Sequence, residues 1–77
     1  MNAPVEPHDA YLRTYTEPEV TSLLRELHER GKPFGIRWGS AAVSDVTIDG
    51  RLLVDFGETS VATVLNLLAL LRETGQE

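Results

Sequence analysis

The stretch Val61-Ala62-Thr63-Val64-Leu65-Asn66-Leu67-Leu68-Ala69-Leu70-Leu71 contains only two polar side chains, Thr63 and Asn66. Its leucines and alanines predict a helix. A helix on the surface of a small protein normally buries a stripe roughly 100° wide and keeps its other face polar. On a helical wheel Val61, Val64, Leu65, Leu68 and Leu71 form one broad apolar arc. Leu67 lies at the edge of that arc, and Leu70 falls on what should be the wet side. The rest of the chain has to supply a cover for this helix, or a second chain does.

Working back from the helix, Thr59 or Ser60 can cap its start, with Glu58 near its positive end, and Gly57 separates it from the segment before. That segment reads as a hairpin: residues 43–49 and 51–56 flank Asp49-Gly50, a strong turn signal. A two-residue loop would split the apolar residues across both faces. A three-residue loop with Gly50 left-handed pairs Val46 with Leu52 and gathers Val46, Leu52, Val54 and Phe56 on one face, so the longer loop is favoured. Before the hairpin, Phe34, Ile36 and Trp38 alternate with Gly35 and Arg37, which predicts a third strand.

The first helix has the clearest local signals. Thr16 and Glu19 form a capping box, Pro18 sits in the first turn, and Tyr15 and Val20 occupy the positions of a hydrophobic staple. Val20, Leu23, Leu24 and Leu27 make one apolar face, Glu26 and Arg30 can pair on the other, and Gly31 is placed for a left-handed cap. The spacing predicts a helix over residues 17–30. Residues 10–15 read as a short edge strand or an extended lead-in. Residues 1–10 read as a flexible tail, residues 11–74 as a single small domain, and residues 75–77 as a frayed end.

The expected fold is therefore α+β: a two-layer sandwich in the order α-β-β-β-α, with a three-stranded antiparallel meander covered on one face by two helices. In that arrangement Val61, Val64, Leu65 and Leu68 pack against Phe56, Val54 and Ile36. Leu67, Leu70 and Leu71 are left over as interface candidates, with Leu53 or Trp38 beside them.

Seventy-seven residues leave little room for a self-sufficient core. With no cysteine and only His8 and His28, disulfides and an all-protein zinc site are not expected, which leaves oligomerisation as the staple. A net charge of −5 opposes binding to nucleic acid or to anionic membrane. RNA-binding domains of the same element order grip phosphate with lysines at the start of the last helix, and Gly57-Glu58-Thr59-Ser60 offers none. The first residues lack the basic and apolar regions of a signal peptide, and the apolar run is too short to span a bilayer, so a cytoplasmic location is expected.

Phosphate-loop, dinucleotide, zinc-protease and nucleophile-elbow motifs are absent. His28 flanks the apolar face of the first helix without a recognisable catalytic partner. Asp45, Asp49, Asp55 and Glu58 surround the hairpin without the spacing of a calcium loop. No cofactor, metal or enzymatic activity is expected. The leading expectation is a small interaction module that forms a homodimer or docks on another protein through its last helix. The alternative is an acidic inhibitor, of immunity-protein or antitoxin type, that blocks a basic partner surface.

Overall fold

In the computed structural model, which describes residues 3–74, the first helix begins where its capping signals place it. The expected fraying end at 75–77 and the first two residues of the expected tail lie outside the described residues. Helix α1 spans Glu17–Gly31. The Thr16 hydroxyl accepts from the Glu19 amide at 3.3 Å, and the Glu19 carboxylate accepts from the Thr16 amide at 2.8 Å. Two orphan amides of the first turn are thereby satisfied. Arg30 and Glu26 pair at 2.6 Å on the exposed side. Val20, Leu24 and His28 are half-buried on the inner side, and Leu23 and Leu27 flank them.

The exit from α1 differs from expectation. Gly31 is right-handed, with φ −79°, and the chain tightens into a 3-10 turn over Lys32–Phe34 before reaching the left-handed residue, Gly35, at φ +74°. Pro33 explains the extension: it sits in the first turn of the 3-10 helix, where its missing N–H is not needed. Gly31 serves close approach instead. The Ile36 amide donates to the Gly31 carbonyl at 3.0 Å, and a β-carbon at residue 31 would lie 2.9 Å from the Ile36 carbonyl oxygen.

Strands β1 (Ala42–Val46) and β2 (Leu52–Asp55) form an antiparallel hairpin. Val46 pairs with Leu52 across the expected three-residue loop, in which the Gly50 amide donates to the Thr47 carbonyl at 3.0 Å and Gly50 has φ +91°. The register slips by one between Val43 and Asp45, so Val43 stands opposite Val54. This bulge at Ser44 turns Val43 to the same face as Val46, Leu52 and Val54. Helix α1 packs over that hairpin through β1.

The third strand does not form, and the three-stranded sandwich is corrected to a two-stranded hairpin with two helices. Phe34 belongs to the 3-10 turn and Gly35 is left-handed, which leaves residues 36–38 outside any strand. Helix α2 (Val61–Thr74) docks on this segment, Thr63 meeting the amide and carbonyl of Arg37 and Asn66 the carbonyl of Gly35. Residues 10–15 also differ: Ala10–Thr14 form a 3-10 helix, not an edge strand, with the Thr14 hydroxyl donating to the Tyr11 carbonyl at 2.7 Å. In the expected tail, the Glu6 amide bonds the Asp9 carboxylate at 2.9 Å, and Arg51 donates to the Pro7 carbonyl.

The molecule is a slab of 35 × 30 × 17 Å. Its radius of gyration is 14.0 Å, where about 11.5 Å is usual for a compact chain of this length. Its surface is 6186 Å², against roughly 4,700 Å² for a folded monomer of 8.5 kDa, an excess of about 1,500 Å². Among the described residues only Gly31, Ile36 and Thr63 are fully buried. The chain on its own makes almost no conventional hydrophobic core.

Candidate interaction surface

Helix α2 is held by its polar residues. Ser60 caps it, its hydroxyl accepting from the Thr63 amide at 3.1 Å. Thr63 is 1% exposed, and its hydroxyl meets both backbone groups of Arg37: it accepts from the amide at 3.1 Å and lies 3.3 Å from the carbonyl oxygen, to which it can donate. The Thr59 hydroxyl donates to that same carbonyl at 2.6 Å. One turn further along, the Asn66 amide donates to the Gly35 carbonyl at 3.0 Å. Threonine and asparagine side chains thus make the bonds to Arg37 and Gly35 that a neighbouring strand would otherwise have made.

Turning Thr63 and Asn66 inward turns the apolar arc outward. Val61, Val64, Leu65, Leu68 and Leu71 are between 40% and 73% exposed. The expectation that Val61, Val64, Leu65 and Leu68 pack against Phe56, Val54 and Ile36 is therefore corrected: the side that meets the protein carries Thr63, Asn66, Leu67 and Leu70. The physical reason is the surface being covered. Residues 35–37 present bare backbone, an unpaired buried amide or carbonyl costs about 1–3 kcal/mol, and Thr63 and Asn66 are the only polar side chains between Val61 and Leu71 that can bond it.

The exposed arc has internal order. Val61, Val64, Leu68 and Leu71 are spaced three, four and three residues apart, which is the a/d seam of two consecutive heptads, with Leu65 beside it. No charged residue occurs between Glu58 and Arg72. Small residues, Ala62 and Ala69, border the arc on one side.

The residues singled out from the sequence do not form one surface. Leu71 lies on the exposed arc. Leu67 and Leu70 are half-buried and line a cleft of about 220 Å³ with Leu27, Phe34, Ile36 and Trp38. Trp38 is half-buried and packs on Phe56, with ring centroids 4.6 Å apart. Leu53 is on the hairpin, lining a groove of about 460 Å³ beneath the N-terminal 3-10 helix with Tyr11, Tyr15 and Leu23. Sequence reasoning missed Thr63 and Asn66 as docking residues. The available signal was their spacing: the only polar residues in the run sit three apart, on the same side as Leu67 and Leu70.

The acidic residues Asp45, Asp49 and Asp55 near the hairpin bond to groups one or two residues away along the chain. Asp45 accepts from the Val46 amide at 2.8 Å, and Asp55 from the Gly57 amide at 2.7 Å. Asp49 accepts from the Thr47 hydroxyl at 2.5 Å and from Arg51 at 3.0 Å. The Thr47 hydroxyl first, and then Arg51, hold the Asp49 carboxyl below its ordinary value. Among the described residues no three histidine or carboxylate groups gather around a point where a metal ion could sit. No helix among the described residues is long and apolar enough to cross a membrane. His28 lines a shallow pocket with Thr21, Leu24 and Trp38.

Compared with protein-family models, with curated proteins and with solved structures, the chain finds no match.

Proposed function

We propose that this chain is a non-enzymatic protein-interaction module that presents the outer face of α2 to a helix of another polypeptide. The observation that carries the reading is the inverted helix: its polar residues are used up in holding it to the fold, and its apolar residues face outward as a heptad seam. Five side chains exposed to this degree make roughly 500 Å² of contiguous apolar surface, at the upper end for a monomer and more than half of what one partner contributes to a standard interface. A seam with a three-four-three spacing is shaped for ridges of a second helix at a shallow crossing angle.

The acidic-inhibitor reading has less support, because Asp45, Asp49 and Asp55 are each bonded to close sequence neighbours. The interaction reading is tested by gel filtration of the chain in cell lysate beside the Leu68→Glu variant. The native chain is expected to run well above its 8.5 kDa, unaffected by high salt, and the variant to fall to the monomer position. Monomer elution by both would overturn the reading.

A further inference from the structure

We infer that the occupant of the α2 seam is a second copy of this chain, docked antiparallel across a two-fold axis that crosses the outer face of α2 at the level of residue 66. This rests on the interaction reading above and specifies the partner and the geometry.

The first argument is symmetry. A two-fold interface uses the same patch on both copies, so the patch must be complementary to itself. The spacing of Val61, Val64, Leu68 and Leu71 reads the same in both directions about residue 66. In an antiparallel pair Val61 meets Leu71 of the second copy and Val64 meets Leu68. Valine stands opposite leucine at every step, so a small side chain always faces a larger one.

Charge gives the second argument. A chain of net charge −5 repels its own copies unless the contact avoids carboxylates. The seam does: the segment between Glu58 and Arg72 is uncharged. Arg72 continues the outer arc at the C-terminal end, and Glu58 stands just before the N-terminal end. Antiparallel docking brings Arg72 toward Glu58 of the second copy and opposes the two helix dipoles. Parallel docking would set Arg72 against Arg72 and Glu58 against Glu58.

Area is the third argument. A standard interface needs about 800 Å² from each partner. The seam supplies most of it, and its flanks add Ala62, Ala69 and the ring of Phe34, 55% exposed beside Leu67 and Leu70. That demand also fits within the surface excess of the isolated slab.

The chain has no cysteine, so crosslinks can be placed without background. The purified 77-residue chain is expected to have a mass of twice 8.5 kDa by light scattering. Leu68→Glu is expected to weaken dimerisation about thirtyfold or more. Leu65→Glu is the second variant, and both should keep the helical circular dichroism of the parent. Mixing Val61→Cys chains with Leu71→Cys chains under oxidation should give mixed disulfide dimers. Val61→Cys alone should give none, because an antiparallel pair holds those two positions about 15 Å apart along the axis. A Val61→Cys self-crosslink would overturn the antiparallel geometry. A monomer at the highest attainable concentration would overturn the second copy. If that monomer still forms a larger, Leu68-dependent species in lysate, the interaction reading survives and the self-pairing inference alone fails.

Discussion

Helices α1 and α2 are nearly equal in length and are built on opposite plans. Helix α1 follows the usual rule: Val20 and Leu24 turn toward the hairpin, while Glu26, Glu29 and Arg30 face water. Helix α2 turns Thr63 and Asn66 inward and leaves three leucines and two valines of its outer arc in water. The difference lies in what each helix covers. Helix α1 covers apolar side chains of a hairpin whose backbone is already paired. Helix α2 covers a segment outside any strand, and its inner polar side chains bond the backbone of Gly35 and Arg37 there.

The largest effect should come from breaking the inner face of α2. Thr63→Val keeps shape and adds apolar surface, yet it strands the Arg37 amide and should destabilise the fold by about 2 kcal/mol in chemical denaturation. The mirror change on the outer face, Val64→Thr, should alter the stability of the isolated chain by less than about 0.5 kcal/mol. Equal effects would mean that the two faces are not distinct. Next is Gly35→Ala, which places a β-carbon against the Asn66 amide at a left-handed position; about 1–2 kcal/mol should be lost in the same assay.

A smaller effect is expected in the conventional helix. Thr16→Ala removes one half of the capping box and should cost about 1 kcal/mol, with amide exchange accelerated only in the first turn of α1. The smallest concerns the hairpin loop. Because Asp49 is held below 3.8, its contribution is present above that value and is lost as the pH falls through its lower folded value. A carboxyl carbon titration should give a midpoint below 3.8 for Asp49, and Thr47→Val should move it upward.

How much of this was legible in the sequence follows the same division. The start of α1, the Glu26–Arg30 pair and the three-residue loop at Gly50 depend on residues within a few positions of one another, and each appears as read. The bulge at Ser44 was not legible, because no turn residue or glycine marks it between Val43 and Asp45. Phe34, Ile36 and Trp38 alternate as a strand does, but alternation reports two faces and not what pairs with the backbone. Side chains of α2 took that role, and the third strand went with it. The orientation of α2 was misread for a related reason. Counting apolar residues finds the more hydrophobic face and takes it as the buried one, which holds only when the surface beneath is apolar. Of the interface candidates, Leu71 stands on the exposed arc, while Leu67 and Leu70 belong to the inner side.

The central claim is that α2 is mounted with its apolar arc outward, and thiol labelling tests it most directly. Leu65→Cys and Leu67→Cys, each the single thiol in its chain, are reacted with a maleimide over a range of protein concentrations. At dilution, where the chain is monomeric, Leu65→Cys should react nearly as fast as a free thiol and should become protected as concentration rises, while Leu67→Cys stays slow throughout. A fast Leu67→Cys beside a Leu65→Cys that is slow even as a monomer would show the arc facing inward and contradict the account.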